Sequence, residues 1–118
     1  MNVRGRARYV PGEMNGLEKD YAAYLEAQKA LGLIKEYQFE NIKLKISKGC
    51  YYTPDFMVID KEGFVEFHEV KGSRGRKGEK KPFYEDDALV KLKATSDKFP
   101  FFFTMVYKDG DEWKRKDI

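Results

Sequence analysis

The sequence predicts a mixed α/β domain, an α+β mixed sheet flanked by two helices, in the order α-β-β-β-α-β with a short C-terminal hairpin. Three observations predict it. Two segments, one headed by Asn15 and one ending before Pro100, place apolar residues at helical spacing. Between them lie runs in which aromatic or aliphatic residues alternate with polar ones. After the second helical segment, Phe101 to Tyr107 forms a short, strongly apolar run of strand type. At 118 residues the chain suits one domain, and 42% hydrophobic residues supply a core that needs no disulfide or structural metal.

Residues 1–12 read as a flexible basic arm carrying Arg4, Arg6 and Arg8, and residues 13–118 as the folded domain. The first helix should run from Asn15 to about Leu31, where Gly32 stops it, with Leu17, Tyr21, Tyr24, Leu25 and Leu31 forming its apolar face. Tyr37 to Ile46 reads as one strand, followed by a turn at Ser47-Lys48-Gly49. Tyr51 to Ile59 and Phe64 to Lys71 read as the next two strands, joined through Asp60-Lys61-Glu62-Gly63. A basic, glycine-rich stretch covers Gly72 to Lys81. The second helix is expected over Tyr84 to Lys98, with Ala88, Leu89 and Leu92 on its core side and Pro100 ending it. The Phe101–Tyr107 strand is expected inside the sheet, and Asp109-Gly110 marks a tight turn into an edge strand near Trp113.

A single cysteine, Cys50, and a single histidine, His68, exclude a disulfide framework and a one-chain zinc site. No apolar run suits a membrane helix and no signal-peptide core is seen, so no membrane partner is expected and the cytoplasm is the expected location. The net charge of +3 is modest, but its distribution is uneven. Arg4, Arg6 and Arg8 crowd the N-terminus, while Lys71, Arg74, Arg76, Lys77, Lys80 and Lys81 crowd one segment opposed only by Glu79. Such clusters suit a phosphate backbone; solvated loops are the competing reading.

The central hairpin carries the chemistry. If Lys61-Glu62-Gly63 is a three-residue loop closed by Gly63 in the left-handed region, Asp60 pairs with Phe64. Counting back along both strands then puts Asp55 opposite Glu69, with β-carbons roughly 4.5–5.5 Å apart. Met57, Ile59, Val65 and Phe67 share that face, Lys71 follows Glu69 on it, and Val70 and His68 point the other way. Two facing carboxylates require a cation or a shared proton. With no cysteine or second histidine to contribute, hard oxygen donors favour Mg2+ or Mn2+. Lys71 would hold a water or offset charge developing in the transition state. A four-residue loop would move Asp55 to the other face and dissolve the arrangement, leaving two polar strand ends and a solvated lysine.

Tyr52-Thr53-Pro54-Asp55-Phe56 followed by Phe67-His68-Glu69-Val70-Lys71-Gly72 resembles the signature of the PD-(D/E)XK nuclease superfamily, whose restriction-endonuclease-like core has the same α-β-β-β-α-β order. The resemblance covers roughly residues 15 to 107, and the compact size is similar to that of phage and archaeal Holliday-junction resolvases. It implies Mg2+- or Mn2+-dependent hydrolysis of DNA phosphodiesters, as in phage recombination or packaging inside a host cytoplasm. Asp55 and Glu69 would be metal ligands, the Val70 carbonyl a third, and Lys71 the catalytic lysine.

Members of the superfamily often add an acid from the first helix, for which Glu18 is the matching residue. Asn15-Gly16-Leu17-Glu18 also reads as a capping box, so both roles stand open. Arg74, Arg76, Lys77 and Lys80, with Arg4, Arg6 and Arg8, are the candidate DNA contacts; Lys91 and Lys93 fit better as a solvated helix face. Tyr52 and Thr53 line the cleft or are ordinary strand residues. A homodimer suits a junction-cutting enzyme, and Phe101 to Phe103 with Trp113 offer an apolar patch. The competing functions are a DNA-binding subunit on a nuclease scaffold and a structural phage protein without a nucleic-acid role.

Overall fold

The computed structural model describes residues 12–118; Arg4, Arg6 and Arg8 of the expected basic arm lie outside them. The first helix, α1 (Gly16–Ala30), starts where the capping residues dictate. The Asn15 side chain accepts from the Glu18 amide and the Glu18 carboxylate accepts from the Asn15 amide, at 2.8 and 2.9 Å. Together these satisfy two amides that a helix start leaves free. Gly32 sits at φ +77°, a conformation that closes the helix C-terminus at little cost only for glycine. Tyr21 and Leu25 are the residues α1 buries, whereas Leu31 is exposed.

Five strands form a mixed sheet in the order β1 (Ile34–Phe39), β4 (Phe56–Asp60), β5 (Val65–Val70), β8 (Phe102–Asp109) and β9 (Glu112–Asp117). Only the β5–β8 pair is parallel, and α2 (Asp86–Lys98) provides the crossover between them. The apolar run from Phe101 is thus an interior strand as expected, with Phe103 to Val106 buried. Gly110, at φ +66°, turns the chain into β9, which occupies the edge.

Helices cover opposite faces. Tyr21 and Leu25 of α1 pack with Phe56, Val58 and Val106, while Leu92 of α2 packs with Phe67, Phe103 and Met105. Full burial of each such side chain contributes roughly 1.5–3 kcal/mol, so both faces help to hold the sheet between its helices. Trp113 packs its ring edge-on against Tyr21 at 4.8 Å instead of joining an exposed patch. Phe64, Phe101 and Phe102 remain exposed together at the end of the sheet where β5 and β8 begin.

Two of the expected strands are each divided. The run from Tyr37 to Ile46 becomes β1 and β2 (Leu44–Ser47), because the backbone turns at Glu40, which adopts φ +45°. The Glu40 amide donates to the Asp55 carbonyl at 2.9 Å, which ends β1 beside the acid. The run from Tyr51 to Ile59 becomes β3 (Cys50–Tyr52) and β4. Pro54, buried and without an N–H, interrupts the ladder between them. β2 and β3 therefore form a separate hairpin, turned by Lys48 and Gly49, that packs against α2. A second small ribbon, β6 (Ser73–Arg74) with β7 (Lys81–Pro82), occupies the basic stretch.

Candidate active site at the end of the central hairpin

The β4–β5 turn has the three-residue form. The Asp60 amide donates to the Phe64 carbonyl at 2.9 Å, the Gly63 amide donates back to the Asp60 carbonyl at 3.0 Å, and Gly63 lies at φ +95°. The Asp60 carboxylate also accepts from the Glu62 and Phe64 amides, both at 2.9 Å. Pairing then runs Ile59 with Val65 through to Phe56 with His68. The next step brings Asp55 to Glu69.

Asp55 lies just outside the regular ladder, and its Oδ2 accepts from the Val70 amide at 2.8 Å. Glu69 accepts from the buried Tyr52 hydroxyl at 2.6 Å, a contact made possible by the break at Pro54 that returns β3 over the end of β5. Lys71 follows on the same face, with Nζ 3.7 Å from Glu69 Oε2. Its own amide donates to the Val106 carbonyl at 2.9 Å, which ties the lysine backbone to β8.

The electrostatics are those of an acidic pair short of positive charge. Burial raises the pKa of Asp55 well above the usual aspartate range, and the charges of Glu69 and Glu18 raise it further. The Val70 amide and Lys71 oppose that rise without cancelling it. Glu69 is raised too, first by burial and also by Glu18, against the opposing pull of the Tyr52 hydroxyl, Lys71 and the Asp55 backbone. Tyr52 moves upward through burial and the negative charge of Glu69, so it stays a hydrogen-bond donor at neutral pH.

Glu18 is thus electrostatically linked to both acids while one of its oxygens serves the α1 cap. The capping role is the one seen. Among the described residues, no three histidine, cysteine, aspartate or glutamate side chains gather as a metal-holding group. A magnesium ion does not require three: it commonly takes one or two carboxylates and fills its octahedron with water and substrate phosphate. Asp55, Glu69 and the Val70 backbone fit that donor set, and burial disfavours the charged form of both carboxyls unless a proton or a cation offsets it.

Glu69 opens into a hollow of about 350 Å³ that is also bordered by Tyr51, Tyr52, Thr53, Lys71 and Lys91. A neighbouring hollow of about 400 Å³ shares Lys71 and Lys91 and extends to Phe83 and Tyr84. Tyr52 and Thr53 therefore do line the cleft, and Lys91 reaches its rim instead of pointing only to solvent. Lys93 is exposed and borders neither hollow.

The basic stretch is a folded ribbon. Asp109, buried at the β8–β9 turn, accepts from the Gly78 amide at 2.7 Å and the Lys80 amide at 3.1 Å. These bonds hold its carboxyl below the usual range. Arg74 stacks its guanidinium 3.5 Å over the Phe83 ring, Lys80 donates to the Gly75 carbonyl at 3.2 Å, and Arg76 and Lys77 remain exposed. Asp109 and Phe83 were not foreseen as parts of the site, since nothing in local spacing links Asp109 to amides about thirty residues earlier.

His68 lies on the α1 face, as strand alternation requires. Its Nδ1 is 2.6 Å from the Tyr21 hydroxyl and its Nε2 2.8 Å from Glu66 Oε1, which also accepts from Arg115 at 3.2 Å. This buried chain is fully partnered and separated by the sheet from Lys71. Compared with protein-family models, curated proteins and solved structures, the chain matches none.

Proposed function

We propose that this chain is a divalent-metal-dependent endonuclease that hydrolyses DNA phosphodiesters, with branched DNA arising in phage recombination or packaging as its substrate and the cytoplasm as its setting. The observation that carries the reading is the meeting of Asp55 and Glu69 with Lys71 at one end of the hairpin, where Glu69 and Lys71 border a hollow open to solvent. The element order α1-β1-β4-β5-α2-β8 supports it, being the α-β-β-β-α-β order of the PD-(D/E)XK nucleases that the motif resembles.

Asp55, Glu69 and the Val70 carbonyl would hold Mg2+ or Mn2+, which when bound polarises a phosphoryl oxygen and lowers the pKa of a water. The chain's own groups do the rest. The Val70 amide and the Tyr52 hydroxyl fix the two carboxylates, so little reorganisation remains when charge develops. Lys71 supplies a positive charge beside Glu69 and a donor for the attacking water. Arg74, Arg76, Lys77 and Lys80, on a ribbon anchored by Asp109, meet the phosphate backbone and position it without reading sequence.

Incubation with branched, nicked and linear DNA, with and without Mg2+ or Mn2+, tests the proposal. Metal-dependent cleavage is expected, reduced at least a hundredfold by Lys71→Ala, a loss of about 2.7 kcal/mol in transition-state stabilisation. No cleavage of any substrate, or undiminished cleavage by Lys71→Ala, overturns it. A second reading is favoured by the engagement of Glu18 in its cap, which leaves two acids at the site. The chain would then be a DNA-binding subunit, showing salt-dependent binding without metal and without turnover.

A further inference from the structure

Two exposed aromatic rings border the two adjoining hollows, and each lies under a cation. Tyr51 on β3 is 40% exposed, with Lys43 Nζ 4.7 Å from its ring centre. Phe83, which directly follows β7, is 45% exposed beneath the Arg74 guanidinium. Neither ring belongs to the core on either face of the sheet. Tyr51 borders the hollow that contains Glu69, Phe83 borders the adjoining one, and Lys71 and Lys91 border both. One ring thus shares a hollow with Glu69, the other borders the next hollow, and the two lysines are common to both.

That arrangement distinguishes between strand forms. Within a duplex the bases stack on one another and offer no free face to a protein ring, while an unpaired strand offers a base face at every nucleotide. Single-strand grooves combine such rings with cations that follow the phosphates. Glu85 and Asp87 also rim the Phe83 hollow, so attraction there depends on the ring more than on net charge.

We infer that the cleft takes an unpaired nucleic-acid strand, with one base against Tyr51, another against Phe83, and the phosphate between them presented to Lys71. Lys43 and Arg74 meet the adjoining phosphates. Naming this strand the substrate rests on the nuclease reading; its binding does not. A branched DNA would then be cut in an unpaired arm or at a splayed junction nucleotide.

Fluorescence anisotropy in EDTA, with a short labelled oligothymidylate and a duplex of the same length, tests this. The single strand should bind at least tenfold more tightly. Tyr51→Ala and Phe83→Ala should each weaken single-strand binding by about 5- to 150-fold, the range for loss of one stacked base. Both should leave duplex binding little changed, and Tyr51→Phe and Phe83→Tyr should restore the single-strand affinity. Equal or tighter duplex binding, or unchanged single-strand binding in both alanine variants, overturns the inference. Metal-dependent cleavage of duplex with no single-strand preference would sink it while the nuclease reading stood. Ring-dependent single-strand binding with no cleavage in Mg2+ or Mn2+ would support it while the nuclease reading failed.

Discussion

Burial of the Asp55 carboxylate should cost stability in metal-free buffer. Its folded pKa is raised by burial and by Glu69, so the native state holds this proton more tightly than the unfolded chain does. The associated stability is fully present below the unfolded pKa and is lost as pH rises through the folded value. In metal-free buffer, the drop in Tm from mildly acidic to neutral pH should therefore be larger for the wild type than for Asp55→Asn. Differencing the two proteins removes the opposite contributions of Glu66 and Asp109, whose carboxyls are held low. At neutral pH Asp55→Asn should melt several degrees higher, because asparagine still accepts from the Val70 amide but carries no charge; about 1 kcal/mol corresponds to roughly 4 °C. It should also abolish cleavage. A lower Tm for Asp55→Asn, measured by calorimetry, contradicts this assignment. Glu18→Gln separates the observed cap from the proposed contribution to metal binding, since glutamine preserves the capping box. Its Tm should stay unchanged while Mn2+ affinity falls severalfold by isothermal titration.

At the scale of elements, the turn at Gly63 places the acids. A β-carbon there would meet nothing closer than Lys35 Nζ at 4.0 Å, so Gly63→Ala is opposed by the backbone conformation alone. It should cost about 1 kcal/mol and keep the register, since the alternative turns every residue of β4 to its wrong face. Urea unfolding measures the cost, and retained cleavage at low temperature reports the register. Asp109→Ala should free the basic ribbon: hydrogen exchange at the Gly78 and Lys80 amides should rise at least tenfold, with DNA binding weakened.

The hairpin register was legible because loop length and a single glycine decide it, and Lys71 then follows by alternation. The divisions at Glu40 and Pro54 left weaker signals: the alternation slips by one residue at Glu40-Asn41, and Pro54 has no N–H to give a ladder, but neither says where the chain goes next. Tyr52 acquires its contact with Glu69 only through that break. The Asp109 clamp joins segments far apart in sequence, where no periodicity speaks.

For the molecule as a whole, the sheet separates two chemistries. The α1 face buries the Tyr21–His68–Glu66 chain among aromatic rings, and the α2 side opens into the acidic cleft. The α/β class was readable from two helical segments and alternating strands, and no helix among the described residues is long and apolar enough to cross a membrane. Which side hairpins would be attached, and where the cleft would open, depended on packing of β2 and β3 against α2 that local pattern does not encode. Binding of a divalent ion to the native state alone should raise stability by mass action, about 2.7 kcal/mol at a hundredfold excess over Kd. The most direct measurement is a manganese soak of crystals, read by anomalous scattering. A peak is expected between the Asp55 and Glu69 carboxylates in the wild type and none in Asp55→Asn. Absence of that peak in the wild type, or its persistence in the variant, would contradict the assignment of this site.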